Sequence, residues 1–146
     1  MREILFRGQT RKYGEKVRIG DGQKLPGHWV YGGVLQGAGS LSIIYGGENI
    51  NAPSQSLEKW CVHTDTLGQY TGLKDKHGKR IFEGDVAKVL QGKDKDIAYV
   101  GFENGAFMLY PKTGNIYERT LWSYWYNDWD VEVIGNITDN PELLEK

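Results

Sequence analysis

Leu67–Leu90 reads LGQYTGLKDKHGKRIFEGDVAKVL and carries the densest local instruction in the chain. Gly72, Gly78 and Gly84 are spaced six apart, each at a point where a chain can turn. Lys74–Arg80 is polar and holds His77-Gly78, which predicts an exposed loop tip. Ile81-Phe82 starts an apolar run, Glu83-Gly84-Asp85 interrupts it, and Val86–Leu90 resumes as a strand. A strand, a glycine kink and a second strand is how small barrels turn corners. Gly84 supplies permissive backbone angles for that kink, and Asp85 can accept hydrogen bonds from turn N–H groups.

Working outward, Gln91–Asp96 reads as a charged loop and Ile97–Phe102 alternates as a strand. Asn104-Gly105 is the strongest short hairpin signal, because both turn positions need positive φ. Ala106–Tyr110 is the return strand, Pro111–Thr120 is irregular, and Asp130–Ile137 is a last strand. Asn140-Pro141-Glu142 predicts a short helical turn, with Asn at the cap, Pro at the first position and an acid in the first turn. On the N-terminal side, Glu3–Arg7 predicts a short strand. Gly8–Gly27 is a polar, glycine-dotted loop with Asp21-Gly22 as a tight turn. His28–Tyr31, Leu41–Tyr45 and Glu58–Val62 are further strands.

Three islands of this sequence carry a resemblance. The first is GQYTGLKDKHGKRIFEGDV, Gly68–Val86. The second is the opening Met1–Gly8, MREILFRG, with Trp29-Val30-Tyr31-Gly32. The third is Val133–Ile137, VIGNI, with Asp139–Leu144, DNPELL. Together they resemble the YopX-like family of phage and prophage proteins, with Phe82 standing where the family commonly has Tyr. The loop before Trp29 is longer here. The resemblance implies a small β-barrel-like roll and brings no reaction or ligand with it. From Arg80 onward the chain itself offers about five short strands joined by tight loops, the content of an SH3-like barrel. The expected fold is therefore mainly β. An SH3-like barrel or roll with a short C-terminal helical turn spans residues 67–146, and an additional β-rich region spans residues 1–66.

Composition narrows the function classes. Charged residues are 25% and hydrophobic ones 39%, ordinary for a globular chain, and the net charge of −1 gives no global pull toward nucleic acid or anionic lipid. Charge is uneven. Residues 1–24 hold seven Lys/Arg against three Asp/Glu, and residues 121–146 hold six Asp/Glu against one Lys. A single cysteine, Cys61, allows no intramolecular disulfide. No apolar run approaches the roughly 20 residues of a membrane span. The apolar stretch near the N-terminus is too short for a signal peptide. Together these predict a cytoplasmic protein of the bacterial host that does not engage membrane.

Trp122, Tyr124, Trp125, Tyr126 and Trp129 put five aromatics into eight residues. They predict a core lid or, as the favoured functional reading, a surface for self-association or for a protein partner, because Trp and Tyr are enriched at interfaces. The alternative is nucleic acid. A basic N-terminal face (Arg7, Arg11, Lys12, Lys16) and the turn with Lys74, Lys76, Lys79 and Arg80 would hold phosphates. Asp128, Asp130 and Glu132 oppose that at the aromatic segment itself. Catalysis is not expected, although Glu83 and Asp85 are an abstract acid/base pair. One Cys and three scattered His (His28, His63, His77) do not make a zinc site. On a strand, Cys61 and His63 share a face, predicted as a buried thiol beside a half-exposed imidazole. Asp75, Asp94 and Asp96 read as solvated loop charges. No cofactor motif is present, since Gly32-Gly33 through Gly39 lacks the helix signal and closing Lys of a phosphate loop.

Overall fold

A computed structural model describes residues 3–10, 28–53, 58–127 and 129–145. The Asp21-Gly22 turn, Arg11, Lys12, Lys16 and Asp128 lie outside the described residues. The chain divides into two compact units, which meet in sequence between Gln69 and Tyr70.

The N-terminal unit is an antiparallel ladder. Its strands are β1 (Phe6–Gln9), β2 (Trp29–Leu35), β3 (Leu41–Gly47) and β4 (Glu58–His63), in the order β4-β3-β2-β1. β1 also pairs with Gly68-Gln69, the first residues of β5 (Gly68–Lys74). The first strand starts later than the alternation at Glu3–Arg7 predicts. Val30, Ile44 and Val62 form a small buried cluster with Phe6, Val34, Trp60 and Leu67 packed on it. Gly32 faces Gly46 across the β2–β3 pair. A Cβ on Gly46 would lie 1.9 Å from the Tyr31 carbonyl oxygen, so the two strands approach too closely for any side chain there. Cys61 is exposed, not buried, because it alternates with the inward-facing Val62.

The C-terminal unit holds the rest of β5 paired with β6 (Arg80–Phe82), and a five-stranded antiparallel sheet. Its strands are β7 (Asp85–Gln91), β8 (Asp94–Glu103), β9 (Ala106–Pro111), β10 (Arg119–Thr120) and β11 (Asp130–Asn136), in the order β10-β9-β8-β7-β11. The sheet has two ends, and no β10–β11 pairing closes it into a barrel among the described residues. The charged stretch 91–96 is not a loop. β7 and β8 run into it and meet at a two-residue turn, with Gly92 at φ 62°. Asn104 and Gly105 both have positive φ, at 52° and 81°, and link β8 to β9. Ile81, Val89, Val100, Leu109, Leu121 and Tyr124 belong to a continuous buried cluster.

Gly72, Gly78 and Gly84 have φ of 85°, 80° and 92°. Gly72 lies in a register shift of the β5–β6 pair. Gly84 sits between β6 and β7, and its backbone serves two other strands. Its N–H donates to the Val100 carbonyl, and its carbonyl accepts from the Ile137 N–H. The stretch Glu83-Gly84-Asp85 is thus a corner whose amide bonds to β8, the middle strand of the sheet, and whose carbonyl holds the residue just after β11. The aromatic segment is a one-and-a-half-turn helix, α1 (Leu121–Tyr126). The chain then closes with a 3-10 turn, Pro141–Leu144. Asn140 does not cap that turn with its side chain; its Oδ1 instead accepts from the Asn136 N–H at 3.2 Å.

Candidate functional site: a cleft of lysines and aromatics

The helix that presents the aromatics is locally specified. Thr120 is extended at the N-cap, and its Oγ1 accepts the Ser123 N–H at 3.3 Å. Leu121 and Tyr124, three apart, share one face and are buried. The Tyr124 hydroxyl donates to the Tyr117 carbonyl at 2.6 Å, and burial raises its pKa. Tyr124 therefore leaves the interface set: it is the rivet that fixes the helix to the core, with Trp129 edge-on at 5.0 Å. The opposite face is bare. Trp122 and Trp125 are each 56% exposed and Tyr126 is 67% exposed, with the Trp122 and Tyr126 rings stacked at 4.9 Å.

The turn after β5 is fixed by one carboxylate. Asp75 Oδ1 accepts the N–H groups of His77 and Lys79, both at 2.9 Å, and Oδ2 accepts the Val133 N–H at 3.0 Å. The Lys76 N–H donates to the Val131 carbonyl at 3.0 Å, so the turn is tied to β11 from both sides of the peptide. Asp75 is buried, which corrects its reading as a solvated charge. Burial alone would raise its pKa. The backbone N–H groups of Val133, Lys79 and His77 and the charge of His77 outweigh burial and leave it below the usual value. Asp96 is a second such anchor, also buried. It accepts from Thr113 Oγ1 at 2.8 Å and from the Ile97, Thr113 and Asn115 N–H groups. Its pKa is likewise lowered by these bonds against the effect of burial.

With the turn and the helix fixed, a cleft of about 610 Å³ opens between them. Ile81, Leu121 and Val131 form its apolar floor. Lys74, Asp75 and Lys76 line it from the turn, and Trp125, Tyr126, Trp129 and Asp130 from the helix and the start of β11, so two lysines are matched by two carboxylates. Lys76 is 3.6 Å and His77 3.5 Å from the Glu132 carboxylate. The Arg119 guanidinium lies 5.6 Å from the Trp129 ring centre. Trp122 faces away, into a separate groove of about 400 Å³ with Leu73 and Phe107.

Two groups that the sequence offered as rivals, the aromatics and the Lys74–Arg80 turn, thus share one cleft. The rest of the basic set does not join them. Arg7 is buried, with its guanidinium over the Trp29 ring at 4.6 Å from the ring centre, and does not line this cleft. Lys79 is exposed outside the cleft, and Arg80 lies over the Tyr70 ring at 5.8 Å. Asp85 is buried with Oδ2 accepting the Phe82 N–H at 2.8 Å, the turn role its position suggested. No group of three or more His, Cys, Asp or Glu could hold a metal ion among the described residues. No helix among them is long and apolar enough to cross a membrane.

Fold and cleft define a mainly β protein of antiparallel sheets whose site is a surface recess, built by one turn and one short helix. The chain belongs to the YopX family: the family model described as YopX protein matches residues 29–145, which take in the Gly68–Val86 block and the closing segment. No curated protein matches the sequence.

Proposed function

We propose that this chain is a non-enzymatic interaction module that binds a protein partner, and a second copy of itself, through the α1 aromatics. The observation that carries this reading is Trp122, Trp125 and Tyr126, exposed on a helix whose other face is riveted to the core. Large aromatics held rigidly in the open are costly to leave in water and serve as anchors at protein interfaces. The non-enzymatic part is supported by a structural role for Asp85, which is buried with its Oδ2 accepting the Phe82 N–H at the β6–β7 turn. An SH3-like roll is the finer fold in this proposal. Its support is the meander β7-β8-β9-β10 followed by a short helix and a fifth strand that returns beside the first. An origin in a phage or prophage and action in the bacterial cytoplasm belong to the same proposal. The exposed thiol of Cys61 suits a reducing compartment.

Light scattering over a range of concentrations tests the reading. A mass above the 16.6 kDa monomer that collapses in Trp122→Ala or Trp125→Ala, with circular dichroism unchanged, supports it. Unfolding of both variants would instead assign these rings to the core.

A second reading, single-stranded nucleic acid, is favoured by one observation: Lys74 and Lys76 share the cleft with Trp125 and Tyr126. Aromatic faces stack bases while lysines hold phosphates. Anisotropy of labelled oligonucleotides at low and physiological salt tests it. Binding that weakens steeply with salt, with the slope reduced by about one in Lys74→Ala, supports this reading. Absence of binding at low salt removes it.

A further inference from the structure

We propose that Lys88, Lys95 and Lys112 form a binding site for a single phosphate-class oxyanion on the outer face of the C-terminal sheet. Ala87 and Val89 on β7, Ala98 and Val100 on β8, and Leu109 on β9 belong to the buried cluster that Leu121 and Tyr124 of α1 also join. Side chains alternate across a strand, so Lys88, Lys95, Ile97 and Lys112 project from the face opposite that core. The site therefore stands apart from the α1 aromatics and from the interaction reading above. Lys88 lies opposite Ile97 in the β7–β8 register, and the Lys112 N–H donates to the Ile97 carbonyl at 2.7 Å. The three form one row across neighbouring strands, which lie about 4.8 Å apart. Lys95 is two residues along β8 on the same face. The lysines surround Ile97 in a recess of about 300 Å³.

Charge is unbalanced there. Among the described residues one carboxylate lines the recess, that of Asp96. It shares the parity of Ala98, is buried, and accepts from Thr113 Oγ1 and from the Ile97, Thr113 and Asn115 N–H groups. None of the three lysines makes an ion pair among the described residues. Lys112 Nζ donates to the Leu143 carbonyl at 3.3 Å, a neutral acceptor that positions the ammonium and leaves its charge in place. Glu132 is the cross-strand neighbour of Lys88, but its carboxylate turns to Lys76 at 3.6 Å and His77 at 3.5 Å. Three like charges around one isoleucine repel. A multiply charged oxyanion relieves that repulsion and accepts charge-assisted hydrogen bonds from several ammonium groups at once. Glu132 beside Lys88, and Glu103 farther along the same face of β8, bound the positive spot, so it suits one anionic group and not a phosphate chain.

The test is a nuclear magnetic resonance titration of the isotope-labelled full chain with inorganic phosphate and with adenosine monophosphate. Sodium chloride at matched ionic strength and adenosine are the controls. The expected result is saturable shifts of the Lys88, Ile97 and Lys112 amides with both phosphate probes and with neither control. Affinity for phosphate should fall about tenfold in each of Lys88→Gln, Lys95→Gln and Lys112→Gln. Lys76→Gln, in the cleft beside α1, should leave it unchanged. Lys88 and Lys95 are exposed, so their variants keep the fold and decide the matter even if Lys112→Gln loosens the Leu143 contact. Equal affinity for the two probes assigns the site to the bare phosphate group, and tighter binding of adenosine monophosphate assigns it to a phosphate carried on a small molecule. Shifts that chloride reproduces, shifts centred on other residues, or an affinity untouched by the lysine variants overturn the proposal. So does poly-dT that binds more tightly than phosphate and is lost in the same variants, since the face would then hold a chain and not a single group.

Discussion

The two units hold themselves together by different means. In the N-terminal one, three buried aliphatics carry the core cluster, and buried polar groups do much of the rest. Gln9 N–H donates to Thr66 Oγ1 at 2.9 Å, Thr66 Oγ1 donates to the His63 carbonyl at 2.6 Å, and the Ser42 and Thr64 hydroxyls meet at 2.8 Å. In the C-terminal one, a larger apolar cluster that includes Tyr124 and Leu109 fills the interior, and carboxylates fix the loops at its rim. The difference teaches why the site is where it is. A short helix can keep three large rings in solvent only when its other face is buried in a core large enough to hold it, and a lysine-rich turn keeps a shape only when something inside it binds its N–H groups.

The sharpest way to break that comparison is Tyr124→Ala. It removes a fully buried ring and its bond to Tyr117, and should cost about 3–5 kcal/mol in denaturant unfolding. A cost below about 1 kcal/mol would mean that the helix is not riveted and that its exposed rings are simply loose.

Next in size is Asp75→Ala. It leaves three backbone N–H groups without their carboxylate and should cost about 1.5–3 kcal/mol near neutral pH. Its pH dependence carries a definite sign. The folded pKa of Asp75 lies below the ordinary 3.8, so the carboxylate's contribution is present above that value and is lost as pH falls through the lower folded value. Wild type and variant should differ most above pH 3.8 and converge below it. Asp96, lowered in the same direction, should keep part of the acid sensitivity in the Asp75→Ala background.

What could be read from the sequence was whatever is local. The glycines of the Leu67–Leu90 block and the Asn104-Gly105 turn depend only on φ at one or two residues. The alternation in Ile97–Phe102 depends only on period two. Asp75 and Asp96 escape the sequence in part, because beside local bonds to His77, Lys79 and Ile97 each also binds a distant group. Val133 is 58 residues from Asp75, and Asn115 is 19 from Asp96. No neighbour in sequence announces such a bond. The helix was hidden by composition, since aromatics suit strands as well. Its signal was present as Thr120 three residues before Ser123, with Leu121 and Tyr124 at helical spacing. Lysines and aromatics looked like competing sites because only the return of β11 beside the turn brings them together.

On the N-terminal side, Thr66→Val keeps the shape and removes the hydroxyl. The Gln9 N–H then loses its acceptor inside a buried site, for about 1–2 kcal/mol. An effect near zero would show that the polar bonds of this unit are incidental and that its strand pairing suffices.

The smallest effect is the control for that argument. In the C-terminal unit Tyr110 stacks on Tyr99 at 5.0 Å, and its hydroxyl donates to Glu103 Oε2 at 2.5 Å in an exposed position. That bond to the carboxylate, with smaller help from burial and the negative charge of Glu103, pushes the Tyr110 hydroxyl up to about 12. Glu103→Gln should bring one tyrosine back toward 10.0 in an ultraviolet titration while leaving the unfolding midpoint in place. Tyr124, raised by burial, should not move with it. The same kind of bond would then count for stability at Thr66 and not at Tyr110, because solvent can replace the partner of an exposed hydroxyl and cannot reach the buried N–H of Gln9. A fall in stability with Glu103→Gln comparable to that of Thr66→Val would mean that burial is not what separates them, and the contrast between the two units would lose its physical basis.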